Sequence, residues 1–156
     1  MKFIFFDLEN GSLLSKDGGL RPFMVDVLEY CYESKIRVYL IGSKEEANRT
    51  LEALKYASKF VVGSFEKSGE LPHFPDLVVG TVGDYLQKFP GLLIPPYSEQ
   101  RTTKYGEISL AGRLLDAIKD RVVLNRYAPE KVTERKEVTE EDDKPKEDPT
   151  SWAFEL

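Results

Sequence analysis

Short, unbroken apolar runs recur along the chain at Lys2–Phe6, Ile36–Ile41, Phe60–Val62, Leu77–Val79 and Leu92–Ile94. Continuous runs of this length, rather than alternation of apolar and polar residues, mark parallel strands covered on both faces. Helical spacing fills the intervals. From Arg21 to Ser34, Pro22 stands at an early helical position, and Met24, Val27, Leu28 and Cys31 fall on one face. From Ser43 to Ala57, Ser43 and Glu46 make a capping box, followed by Ala47, Leu51 and Leu54 at i, i+4 and i+7. A third stripe, Ile108, Ala111, Leu115, Ile118 and Val122, predicts a last helix. Alternating strands and helices predict an α/β fold: a three-layer, doubly wound, mostly parallel sheet of five strands.

Beyond Tyr127 the apolar periodicity stops, so we expect an α/β domain over 1–128 and an acidic, proline-containing tail over 129–156. Residues 129–156 hold ten acids against five bases, which accounts for the whole net charge of −5 and leaves 1–128 formally neutral. A neutral body with an acidic tail lacks the clustered basic face that duplex nucleic acid demands. The tail has no core of its own and is expected to be disordered alone. It ends in Trp152-Ala153-Phe154-Glu155-Leu156, which suits docking to a protein partner, self-association, or packing back on its own domain.

At 156 residues with 41% hydrophobic content, the chain can bury a substantial core. No apolar run approaches the roughly 20 residues that span a bilayer, and the first strand meets an acid too early for a signal peptide. A cytoplasmic protein is the expectation. The lone cysteine, Cys31, excludes an internal disulfide and sits at core spacing; the lone histidine, His73, lies between Pro72 and Pro75 and reads as a loop residue.

The chemistry concentrates where the first strand ends, in Asp7-Leu8-Glu9-Asn10-Gly11-Ser12-Leu13-Leu14. A carboxylate at the carboxyl end of a buried strand is badly placed for stability and well placed for catalysis, since ligands of open α/β sheets bind along that edge. The plainer alternative is an aspartate that caps the following turn.

Asp7 on the first strand, the helix opening Leu20-Arg21-Pro22-Phe23 and the second strand ending Gly42-Ser43 together resemble the haloacid dehalogenase-like (HAD) superfamily of phosphohydrolases over about residues 1–97. The resemblance implies strand order 5-4-1-2-3, Asp7 as nucleophile, Glu9 nearest the general acid and base, Ser43 as donor to the phosphoryl group, and Lys67 as the charge-stabilising lysine. It also implies Mg²⁺ held by Asp7, Glu9 and Asp84. A carboxylate that attacks a dianion needs such cations to offset repulsion.

The match departs from the family in two places. One extra residue precedes Gly11 in the DxDGTLL-like stretch, and Thr81 stands where the family places an acid, which leaves Asp84 nearby. No cap insertion fits after Asp7 or between Phe65 and Pro75, so the site is expected to be open, and the family then implies bulky or macromolecular phosphorylated substrates. An inactive HAD-like binding module acting through the tail is the rival. A third reading is a metal-dependent nuclease of the NYN/PIN kind. It rests on Asp7-Leu8-Glu9-Asn10 and a faint Gly83-Asp84-Tyr85 match, but lacks an acid-bearing helix between them. Arg101 and Lys104, near the same edge, offer charge to an anionic substrate or merely line a solvated loop.

Overall fold

A computed structural model describes residues 1–67, 71–83, 85 and 88–124. The chain divides into a unit Met1–Asn125 and a second unit, Arg126–Leu156. The expected acidic tail, with Trp152 and Phe154, lies outside the described residues, as does Asp84.

Five apolar runs become five strands: β1 (Lys2–Asp7), β2 (Ile36–Ile41), β3 (Val61–Phe65), β4 (Leu77–Gly80) and β5 (Gly91–Leu93). They form one sheet in the order β3-β2-β1-β4-β5, and every pairing is parallel. The order coincides with 5-4-1-2-3. β1 is central, flanked by β2 and β4, which is why Ile4, Phe5 and Phe6 are wholly buried.

Three α-helices accompany the sheet: α1 (Met24–Glu33), α2 (Lys44–Leu54) and α3 (Lys104–Ala117). Ser43 caps α2 through a complete capping box, as its spacing predicts. A 3-10 turn (Lys55–Phe60) follows α2, and a wider π-helical turn (Ile118–Val123) follows α3. Phe60 therefore ends a turn and does not begin β3. Pro22 does not open α1 either. Phe23 adopts a left-handed conformation, φ 68°, and breaks the chain between Pro22 and the first helical residue, Met24.

Strand alternation divides the core in two. Ile4, Phe6, Val38, Leu40, Leu77 and Val79 pack with buried side chains of all three helices on one face. On the other face Phe5, Tyr39, Ile41, Val78 and Tyr85 are buried, and the partners packed against them are Phe3, Phe65, Leu71 and Phe89. Among the described residues, then, helices line one face and an aromatic cluster lines the other. His73 belongs to that cluster: its ring stacks on Phe3 at 4.6 Å and 5°. Cys31 is wholly buried on the helical side, where burial pushes its thiol up to about 12, so it is an unreactive core residue.

The predicted stripe on α3 needs correction. Ile108 is 44% exposed, whereas Glu107, Leu110, Ala111 and Leu114 are buried and continue into Ile118 and Val122. The buried face opens with an acid because Arg21, itself 1% exposed, meets it: Arg21 Nε donates to Glu107 Oε1 at 2.7 Å and Nη2 to Oε2 at 3.3 Å. No described helix is long and apolar enough to cross a membrane.

Candidate functional site

Three strand ends converge at one edge. Asp7 closes β1 in register with Ile41 of β2, Gly80 closes β4, and Glu9, Ser43 and Thr81 follow their strands within two residues. Asp7 fits between its neighbours because β4 ends in glycine. A Cβ on Gly80 would lie 3.0 Å from the Asp7 Cβ, tighter than real contacts allow without movement.

The turn after Asp7 is built on its own carboxylate and carbonyl. Oδ1 accepts from the Glu9 amide at 3.1 Å, and Ser12 Oγ donates to the Asp7 carbonyl at 2.6 Å. Asn10 and Gly11 turn the chain through left-handed conformations, φ 60° and 77°. Arg21 Nη1 then donates to the Ser12 carbonyl at 3.1 Å. A continuous brace thus runs from the Asp7 backbone through Ser12 and Arg21 to Glu107 on α3.

The other carboxylate oxygen, Oδ2, is buried and, among the described residues, has no well-aligned hydrogen bond. The ammonium of Lys67 stands 3.0 Å from it, a contact between charges rather than an aligned hydrogen bond, and donates to Glu9 Oε1. Lys67 Nζ also lies 5.9 Å from the centre of the Tyr85 ring. One cation therefore bridges two carboxylates, and the three groups together carry one negative charge. Burial raises the Asp7 pKa above its ordinary value of 3.8, opposed first by the Glu9 amide and then by Lys67. Thr81 Oγ1 donates to the Glu9 carbonyl at 2.7 Å, so at the position where the resemblance calls for an acid this chain fastens the loop instead.

The expected open site is closed at Asp7, which is only 1% exposed. The absence of a cap insertion leaves the strand end to be covered locally, and Lys67 and Glu9 reach across it. Their side chains are 27% and 51% exposed.

Of the residues singled out from sequence, Asp7, Glu9 and Lys67 are in contact. Ser43 stands at the same edge but is exposed, and its Oγ accepts from the Glu46 amide at 3.1 Å while Glu46 Oε1 accepts from the Ser43 amide at 3.0 Å. That cap uses the oxygen as acceptor and leaves the hydroxyl proton for a second partner. Ser43→Ala is expected to cost about 1 kcal/mol through the lost cap. Thermal unfolding checks this as a fall of a few degrees.

For a metal, the described donors are the Asp7 and Glu9 carboxylates. No group of three or more histidine, cysteine, aspartate or glutamate side chains forms a ligand cluster among the described residues. Two hard carboxylates nonetheless suit Mg²⁺, which takes one or two protein carboxylates and completes its octahedron with water and substrate phosphate. Asp7 Oδ2 is buried, and the Lys67 ammonium stands 3.0 Å away, where a metal ion would otherwise offset its charge.

The brace of Ser12, Arg21 and Glu107 escaped the sequence reading. Arg21 opens the predicted helix as one polar residue among others, and Glu107 lies outside the apolar stripe; only their closeness in space, across 86 residues of chain, makes them partners. No protein-family model, curated protein or solved structure matches the chain.

Proposed function

We propose that the chain is a divergent, capless HAD-like phosphohydrolase in which Asp7 attacks phosphorus. The observation that carries this reading is the Lys67 ammonium set against the buried, unbonded Oδ2 of Asp7 at the carboxyl end of the central strand. The parallel sheet in the order β3-β2-β1-β4-β5 supports it. A three-layer, doubly wound arrangement is part of the proposal.

In the first step, once Lys67 has left Glu9 and Glu9 has taken a proton from solvent, Asp7 Oδ2 forms a bond to phosphorus as the ester P–O bond breaks, and the leaving oxygen takes that proton from the Glu9 carboxyl. In the second, Glu9 takes a proton from water as that water's oxygen bonds to phosphorus and the Asp7–phosphorus bond breaks. Lys67 offsets the charge on the transferring group, and the Ser43 hydroxyl donates to one of its oxygens. Asp7 and Glu9, with Asp84, would hold Mg²⁺, which when bound lowers the repulsion between carboxylate and phosphate. A phosphoryl group reaches Asp7 only when Lys67 swings off Glu9, a movement its four-carbon stem permits. The absence of a cap favours phosphorylated groups on bulky or macromolecular substrates.

A second reading draws on the same geometry. Asp7 is covered, Lys67 already neutralises it, and Thr81 supplies a hydroxyl where the family supplies an acid. An inactive HAD-like module, engaging a protein partner or a second copy through residues 129–156, would tolerate all three.

Thermal unfolding under Mg²⁺ titration, paired with turnover of p-nitrophenyl phosphate, separates the two. The phosphohydrolase is stabilised by about 1.4 kcal/mol at ten times its Mg²⁺ dissociation constant and hydrolyses the ester. An unmoved melting temperature at millimolar Mg²⁺ with no hydrolysis favours the module over the phosphohydrolase.

A further inference from the structure

A cleft of about 730 Å³ opens beside the Asp7 turn, and neither Asp7, Glu9 nor Lys67 lines it. Leu8 and Asn10 line it, whereas Asp7 and Glu9 meet Lys67. Leu8, Leu14 and Tyr97 give the cleft an apolar part, and Lys16, Arg49 and Arg101 bring three cations to its wall from three separate segments.

The cleft is formally neutral, with three bases facing three acids, but its bases are not tied to its acids in close ion pairs. Glu46, Asp17 and Glu99 also line the cleft, yet among the described residues the only ion pairs are those of Arg21 and Lys67. Two of the acids are engaged elsewhere. Glu46 Oε1 holds the Ser43 amide, although Arg49 sits one turn along the same helix. Glu99 Oε1 accepts from Ser15 Oγ at 3.2 Å, and its Oε2 fills the space beside Gly19, where a Cβ would lie only 2.0 Å away. Both arginines are exposed, and neither takes part in an ion pair among the described residues. A planar guanidinium is suited to bidentate pairing with a carboxylate or phosphate.

The loop is held, not draped. The Tyr97 amide donates to the Gly11 carbonyl at 2.8 Å, and Tyr97 packs under the buried Arg21 guanidinium at 5.6 Å. Two walls of the cleft are therefore tied to the same brace that orders the Asp7 turn. The volume lies within the range of small-molecule sites and far exceeds what one inorganic anion fills.

We propose that this cleft binds a small organic molecule carrying at least two oxyanion groups, carboxylate or phosphate, through Arg49, Arg101 and Lys16. The site is separate from Asp7 and stands whether or not Asp7 attacks phosphorus.

Isothermal titration calorimetry on the full chain in EDTA, with citrate, fructose 1,6-bisphosphate and inorganic phosphate as probes, tests it. At least one polyanion is expected to bind, tenfold or more tightly than inorganic phosphate; citrate against the bisphosphate tells carboxylate from phosphate. Arg49→Ala and Arg101→Ala are each expected to weaken that binding at least tenfold. Both side chains are exposed, so both variants should fold, and an unchanged melting temperature verifies it. Lys104→Ala, in the first turn of α3 and outside the cleft lining, is expected to leave affinity unchanged. The proposal is overturned if no probe binds at 10 mM, if inorganic phosphate binds as well as the polyanions, if the arginine variants bind normally, or if Lys104→Ala weakens binding as much as they do.

Discussion

Asp7→Asn is expected to abolish phosphate-ester turnover, by about 10³-fold or more, and at the same time to raise the melting temperature. The first effect follows because an amide cannot form the bond to phosphorus. The second follows from burial. Asp7 is 1% exposed with one oxygen lacking a hydrogen bond, and its pKa is raised above 3.8 by desolvation. From that unfolded-state value up to the raised folded value, the native chain keeps a proton that the unfolded chain has released. Stability therefore falls as pH rises through this window, and the loss is complete above the folded pKa. Asparagine keeps an acceptor for the Glu9 amide without the charge. The gain should be near zero at pH 4 and reach about 1–2 kcal/mol at pH 7, or roughly 3–8 °C. Melting curves from pH 4 to 8 check the sign. A variant less stable than the parent at neutral pH would mean that Lys67 more than repays the burial of Asp7.

The largest structural effect is expected at the brace. Arg21→Met strands the Glu107 carboxylate in the core and frees the Ser12 carbonyl, which should cost about 3–5 kcal/mol. For a domain of this size that lowers the melting temperature by on the order of 10–20 °C. The paired change Arg21→Met with Glu107→Leu removes both charges and should recover most of the loss, since a buried ion pair rarely outperforms well-packed hydrocarbon. Chemical denaturation of the parent, the two single variants and the double variant measures the coupling. Failure of the double variant to recover would assign the energy to the Ser12 bond and the Tyr97 contact rather than to the pair.

Legibility of the sequence tracked how local each signal was. The five strands could be read because residues such as Ile4 to Phe6 are buried on both faces and leave an unbroken apolar run. Helix α2 could be read because Ser43 and Glu46 satisfy each other three residues apart. The face of α3 was misjudged for the converse reason: its buried stripe begins with Glu107, whose partner Arg21 is remote in sequence, so charge masked the periodicity. Pro22 misled because Phe23 takes a left-handed turn that no residue pattern announces. The aromatic cluster against Phe5 and Tyr39 was equally hidden, because Phe3 and Phe65 on their strands are joined there by Leu71, Tyr85 and Phe89 from segments that separately look like loops.

For the site, Asp7 was legible from its place at a strand end, and Glu9 and Lys67 are in contact with it. The closure over Asp7 was not legible. It depends on where the Lys67 stem lies, and rotamers leave no mark in a sequence. Arg49 and Lys16 were missed for a related reason, since each is an unremarkable surface residue until the fold sets it beside Arg101. The two proposed surfaces thus adjoin one short turn, and Ser12, Arg21 and Tyr97 tie both to the same core.

The attack of Asp7 on phosphorus is tested most directly by a crystal structure determined with Mg²⁺ and BeF₃⁻. The account predicts density joining Asp7 Oδ2 to beryllium, with Lys67 turned away from Glu9 toward the fluorines. Clear density for Lys67 still bridging Asp7 and Glu9, and nothing bound at Oδ2, would contradict it.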